Sequence, residues 1–211
     1  MLSPWARLKR AWLLYHLGDP RFRLMWDTPP PNEYIALDCE TTGLNVHKDE
    51  IVAVGAVRIV GNRVMTSERL ELLVRPERRK LSHQSVRIHR LREADVAQGM
   101  EIGEAMYRLM TFIGSRPLVG YYLEFDVAMI NRALFPLLGV GLPQPKHEVS
   151  SMYYDYKNRQ RSAHERGGYI DLRFATLIND LKLPSREAHD ALNDAVMAAL
   201  AFIKLRSLKS L

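Results

Sequence analysis

Apolar and polar positions change period from block to block along this chain, and each period predicts an element. Over residues 5–17, Trp5, Leu8, Trp12 and Tyr15 or His16 recur near helical spacing, with Arg7, Lys9 and Arg10 as polar interruptions. That pattern predicts an amphipathic helix. Pro29-Pro30-Pro31 then forms a stiff spacer. A strand begins at Tyr34 and runs through Ile35, Ala36 and Leu37 into Asp38-Cys39-Glu40. Residues 51–60 are almost entirely apolar, as in a central strand covered on both faces. Gly61-Asn62 makes a turn, and residues 64–74 return as a longer strand, which gives a meander of three antiparallel strands. Residues 75–92 are dense in Arg and Lys and read as a loop with short helical turns, its charge a solvated face or a nucleic-acid contact.

The second half alternates helices with short apolar runs. Residues 101–113 carry Ile102, Ala105, Met106, Leu109 and Ile113 on one helical side, and Pro117 closes that helix. Residues 118–122 read as a short buried strand. Asp126 follows at the opening of another helix, with Met129, Ile130, Ala133, Leu134 and Leu137 as its apolar stripe. Residues 153–168 interleave tyrosines with Lys and Arg. Such a stretch either stacks on bases and holds phosphates or is a helix end and loop. Residues 172–181 form a short helix, and the final helix has a flank of small residues, Ala191, Ala195, Ala198 and Ala199.

Composition narrows the class. The chain has 211 residues, 47% hydrophobic, which suits one compact domain (32–207) with a short N-terminal extension (1–31). The extension is either packed on its own domain or a docking helix for a polymerase, another protein or a membrane surface. A single cysteine, Cys39, excludes an intramolecular disulfide and fits a reducing, cytoplasmic setting. No apolar run is long enough for a transmembrane segment, and Gly18-Asp19-Pro20 does not resemble a signal cleavage site. The formal net charge of +6 points to a polyanionic partner, with nucleic acid the first candidate.

The candidate chemistry lies in carboxylates. Side chains alternate along a strand, so Asp38 and Glu40 share one face, with Ile35, Leu37 and Cys39 on the other. Two adjacent acids are either solvated at a strand end or neutralised by a divalent cation with oxygen ligands. Asp126 is placed either to cap its helix or to reach a shared site. At the last helix, His189 and Asp194 would point about 140° apart if both were helical. They converge only if His189 precedes the helix, and Asp190 as N-cap would put it there.

The order and types of these residues resemble the DEDDh 3′→5′ exonucleases, the DnaQ-like family on the ribonuclease-H-like fold. Asp38-Cys39-Glu40-Thr41-Thr42-Gly43-Leu44 matches the first motif of that family and His189-Asp190-Ala191-Leu192-Asn193-Asp194-Ala195 the last; Ile88-His89 resembles the pair members carry in the long connection. The middle motif keeps Phe125-Asp126 but has Tyr121-Tyr122 where members often carry His-Asn. The resemblance implies an α/β fold with a mixed five-stranded sheet, the antiparallel meander plus parallel strands, flanked by helices. It implies two divalent cations, Mg²⁺ or Mn²⁺, on Asp38, Glu40, Asp126 and Asp194. It implies His189 as the general base, the turn Thr41-Thr42-Gly43 as the seat of the terminal nucleotide, and Leu44 as a wedge against its base. The implied reaction releases nucleoside monophosphates from single-stranded or frayed DNA 3′ ends, as in proofreading and repair. An exoribonuclease acting on RNA ends and a catalytically idle nucleic-acid- or polymerase-binding module are the other two readings; an idle module would be expected to lack one of the acids, and all are present.

Overall fold

A computed structural model describes residues 4–78, 90–162, 164, 166–184 and 190–209. Ile88-His89 and His189 lie outside the described residues. The strands β1 (Glu33–Thr41), β2 (Ile51–Val60) and β3 (Arg63–Leu73) form the antiparallel meander. Gly61 turns β2 into β3 with φ +60°, a conformation that favours glycine. Two short strands, β4 (Leu118–Gly120) and β5 (Lys146–Glu148), run parallel to β1, and the sheet order is β3-β2-β1-β4-β5. The mixed five-stranded sheet is the expected one. The strand expected over 118–122 stops at Gly120, because Tyr122 turns into the left-handed region at φ 52°.

Helices cover both faces. They are α1 (Pro4–Tyr15), a 3-10 helix (Pro20–Trp26), α2 (Glu93–Val96), α3 (Ile102–Ile113), α4 (Leu123–Leu138), α5 (Val149–Gln160), α6 (Phe174–Asp180) and α7 (Ala191–Lys209). Ile35, Leu37 and Cys39 of β1 pack in one cluster with Met106, Leu109 and Ile130 of α3 and α4. Ala36 of β1, with Val57 and Ile59 of β2, packs on the other side with Val149 of α5, Leu177 of α6 and Phe202 of α7. Each large aliphatic side chain buried this way contributes roughly 1.5–3 kcal/mol. The alternation therefore places Asp38 and Glu40 on the α7 side of the sheet.

Two stretches take one of the alternatives that periodicity left open. The end of the N-terminal extension packs on its own domain: Phe22 and Met25 of the 3-10 helix are buried in the α3–α4 cluster, and the Gly18 amide donates to the Leu138 carbonyl at 2.8 Å. Asp19 caps that helix, accepting from the Arg21 amide at 3.0 Å. The tyrosine- and cation-rich stretch from 153 is helical as far as Gln160. Tyr153 is buried, and its hydroxyl donates to Asp180 of α6 at 2.8 Å, while Lys157 reaches the same carboxylate oxygen at 3.0 Å. Both side chains thus latch α5 to α6.

Candidate active site

The site forms at the C-terminal end of β1. Asp38 lies opposite Gly55 in the β1–β2 register and Glu40 opposite Ala53. Oxygens of Asp38, Glu40 and Asp194 lie within 4.8 Å of one another, and all three residues are half-buried. Asp38 and Asp194 are far apart in sequence, so α7 must lie close on the sheet. Gly55 permits it: a Cβ there would meet the Ala191 carbonyl carbon and the Leu192 nitrogen, each at 2.2 Å. The small residues expected on this flank, Ala191, Ala195, Ala198 and Ala199, are all buried. Asp190 caps α7 as expected, its Oδ1 accepting from the Asn193 amide at 2.8 Å, and the Asp194 amide donates to the Asp190 carbonyl at 2.9 Å.

Asp126 approaches from the other side of β1, in the first turn of α4 and only 4% exposed. It is not a cap; Tyr122 holds the N-cap position. The turn is held by Glu148 at the end of β5. That carboxylate accepts from the amides of Tyr122 at 2.9 Å and Leu123 at 2.7 Å, and from the Ser150 amide at 3.1 Å and hydroxyl at 2.8 Å. One carboxylate thereby satisfies donors at the starts of both α4 and α5. Tyr121, in the departing motif, donates its hydroxyl to the Leu172 carbonyl at 2.8 Å and packs its ring 4.5 Å from those of both Tyr122 and Phe174. It ties the β4–α4 turn to the start of α6.

The carboxylates perturb one another. Burial, and then the charges of Asp126, Glu40, Asp194 and Asp190, push Asp38 well above the usual carboxylate range. Burial, then Asp194 and Asp190, raise Glu40 to about 7. Burial also raises Asp126, opposed by a hydrogen bond from the Cys39 amide. Packed acids that resist ionisation are a strong attractor for cations, and an all-oxygen donor set suits a hard divalent ion. The residues therefore fit such an ion. A cleft of about 240 Å³ opens beside Glu40, walled by Gly55, Glu71, Leu73, Asp190 and Leu192 among others.

The turn after β1 is fastened by a residue that the sequence did not single out. Asp49 accepts from the Thr42 hydroxyl at 3.1 Å and the Asn45 amide at 2.8 Å, and Arg132 of α4 donates to its backbone carbonyl. A Cβ on Gly43 would fall 2.6 Å from that carboxylate. The Thr41 hydroxyl donates to the Gly43 carbonyl at 2.6 Å, and the Thr42 amide to the Glu50 carbonyl at 2.9 Å. Both threonines are buried, whereas Leu44 is 85% exposed at the lip of the turn. Besides Asp49, the sequence reading missed Gly55 and Glu148. Gly55 was visible as a lone glycine in an apolar strand, and Glu148-x-Ser150 as an N-capping pattern.

The family model RNase_T, described as an exonuclease, matches residues 35–202. The DNA polymerase III subunit epsilon-like protein of Rhodobacter capsulatus is 30% identical over 176 residues, which are 82% of this chain and 23% of that protein. The chain thus spans less than a quarter of the length of this relative. Among solved structures, the zinc-bound E. coli exonuclease I complex with single-stranded DNA superposes with a TM-score of 0.70 at 16% identity, over 85% of this chain and 41% of that one. Exonuclease X in complex with 5′ overhanging duplex DNA gives a TM-score of 0.63 at 22% identity, over 84% of this chain and 93% of that one. These likenesses establish the ribonuclease-H-like fold.

Proposed function

The chain belongs to the exonuclease family, and on that premise we propose that it is a two-metal-dependent 3′→5′ exonuclease releasing nucleoside monophosphates from single-stranded or frayed DNA 3′ ends. The observation that carries this reading is the convergence of Asp38, Glu40 and Asp194 within 4.8 Å, with the buried Asp126 beside Asp38. When bound, two Mg²⁺ or Mn²⁺ ions would polarise the phosphodiester and stabilise charge on the attacking and leaving oxygens.

The roles then follow from position. Asp38, central among the acids, would be shared between the ions. Glu40 and Asp194 would complete one site and Asp126 the second. His189 immediately precedes the capped start of α7 and would take the proton of the attacking water, a task suited to imidazole near neutral pH. The scissile bond breaks between phosphorus and the 3′ oxygen of the penultimate nucleotide. The turn Thr41-Thr42-Gly43, fastened by Asp49, would seat the terminal nucleotide, and the exposed Leu44 would press on its base. The Thr42 amide is already engaged by Glu50, so in this seat the turn acts through its shape and its remaining groups. The catalytic unit is residues 32–207, which contain every one of these side chains.

The DNA preference is supported by the polymerase-subunit name of the relative and by the DNA ligands of the two neighbouring structures. Parallel digestion of single-stranded DNA, duplex DNA and RNA of one sequence, with Mg²⁺ or Mn²⁺ and with chelator, tests it. The reading expects single-stranded DNA to be degraded fastest and chelator to stop the reaction. Faster cleavage of RNA would reassign the enzyme to RNA ends.

A further inference from the structure

Helix α1 meets its own domain only near its C-terminal end; the described side chains of residues 4–12 are exposed, and the rings of Trp12 and Tyr15 touch that of His16. Leu13 and the following Leu17 pack against the α3–α4 cluster. Facing away, Trp5 is 82%, Leu8 65%, Trp12 59% and Tyr15 85% exposed. At about 100° per residue these four fall within a stripe about 80° wide. Isolated exposed apolar residues are ordinary, but an aromatic stripe of this kind marks an interaction surface.

The surroundings say which kind. Lys9 and Arg7 are exposed on the two flanks of the stripe, Arg10 is exposed on the face opposite it, and residues 4–18 contain no Asp or Glu. The charge of Lys9 also reaches Lys146 at the start of β5, adding to the burial that lowers the Lys146 pKa. Exposed Lys204 and Lys209 lie in the last turns of α7, whose first turn holds Asp194. The amide of Gly18 docks on Leu138, the last residue of α4, whereas Asp126 is in that helix's first turn. A helix of 16 residues spans about 24 Å, so α1 and the carboxylates occupy opposite poles. One pole is aromatic and cationic, and the other is acidic.

We propose that α1 is a peripheral anchor that lays the Trp5, Leu8, Trp12 and Tyr15 stripe into the interface of an anionic phospholipid surface, with the flanking Arg7 and Lys9 against the headgroup phosphates. Trp and Tyr rings favour the water–lipid boundary because they are apolar with one polar edge, and cations on a helix flank reach outward to headgroups. Among the described residues no helix is long and apolar enough to cross a membrane, which is consistent with a helix lying on the surface. Anchored so, the carboxylate pole faces away from the lipid. A nucleic-acid role fits this stripe less well, because it lies a helix length from the place where a strand end would be cut. The proposal rests on the surface of α1 and is independent of the nuclease reading.

Co-sedimentation of the full chain with phosphatidylglycerol–phosphatidylcholine vesicles and with phosphatidylcholine vesicles tests it. The chain should sediment with the anionic vesicles and shift its tryptophan emission to the blue. Trp5→Ser/Trp12→Ser should weaken that association at least about tenfold, and Arg7→Gln/Lys9→Gln should remove most of its dependence on the anionic lipid. Both variants should keep the parent's circular dichroism and its hydrolysis of short oligonucleotides, since the altered side chains are exposed. No association with anionic vesicles, or association unchanged in both variants, would overturn the proposal. Loss of single-stranded DNA binding or of a co-purifying protein in the tryptophan variant, with no vesicle binding by the parent, would reassign the stripe to that partner and also overturn it.

Discussion

Gly55 and Ala191 are in backbone contact: a Cβ on Gly55 would lie 2.2 Å from the carbonyl carbon of Ala191. Gly55 is also the register partner of Asp38, so this contact sets the height of α7 over the acid that begins the site. Gly55→Ala should push the start of α7 off the sheet. Overpacking of this kind costs typically 1–3 kcal/mol, so the melting temperature should fall by several degrees. Hydrolysis should fall further than stability, because Asp194 moves away from Asp38 and Glu40. Thermal melts paired with nuclease assays check this; a variant with the parent's stability and rate would mean that α7 does not depend on the contact.

Neutralising the carboxylates should separate function from folding. Asp38→Asn and Asp194→Asn should each reduce turnover by at least about 10³-fold, since the ions and the developing charge lose a ligand. Without metal the same variants should melt higher than the parent, because burial, and after it mutual repulsion, raises Asp38 and Glu40. The increase in melting temperature on adding Mn²⁺ to the parent should be lost. Differential scanning calorimetry with and without the ion measures both. Unchanged metal-induced stabilisation in both variants would remove these residues from the ion site.

Glu40 gives the site a pH signature. Its folded value of about 7 stands above the ordinary 4.5. Between those values the folded chain binds more protons at Glu40 than the unfolded chain does. Metal-free stability from this group is therefore fully present below the unfolded value and is lost as pH rises through about 7. The contribution is the difference between the parent and Glu40→Gln, measured by melts across that window. The parent should lose stability relative to the variant as pH rises, and saturating Mg²⁺ should remove the loss. A parent that gains on the variant over the same range would reverse the sign.

Glu148 should act through the position of Asp126. Glu148→Ala strips acceptors from the amides of Tyr122, Leu123 and Ser150. Leaving such donors unpaired costs about 1–3 kcal/mol. Turnover should drop with it, as Asp126 is in the turn these bonds fix. Glu148→Gln keeps one acceptor oxygen and should recover part of both losses. Equal effects of the two substitutions would show that charge, not the hydrogen-bonded turn, is what matters there.

The parts legible in the sequence were those governed by local period. The alternation of β1 placed Asp38 and Glu40 together, an apolar run marked β2 and the Gly61-Asn62 turn the return of β3, helical stripes marked α3 and α4, and Asp190 read as a cap. What stayed hidden depends on contacts between distant segments. β5 is three polar or charged residues whose strand character comes from pairing with β4. Tyr122 adopts a left-handed backbone where Glu148, 26 residues away, accepts from its amide. The tyrosines after 152 stayed open between stacking on bases and a helix end, because nothing local announced that Tyr153 meets Asp180 of α6. Gly55 was visible as a residue but not as a reason, since its purpose is a helix more than 130 positions further on.

The most direct test of the account follows a linear single-stranded DNA labelled at its 5′ end, incubated with Mg²⁺ and the full chain. Hydrolysis from the 3′ end keeps the label on the shrinking strand. The account predicts a descending ladder in single-nucleotide steps that chelator and Asp38→Asn both abolish, with closed circular single-stranded DNA left intact. Immediate release of a labelled mononucleotide, or nicking of the circle at a similar rate, would contradict it.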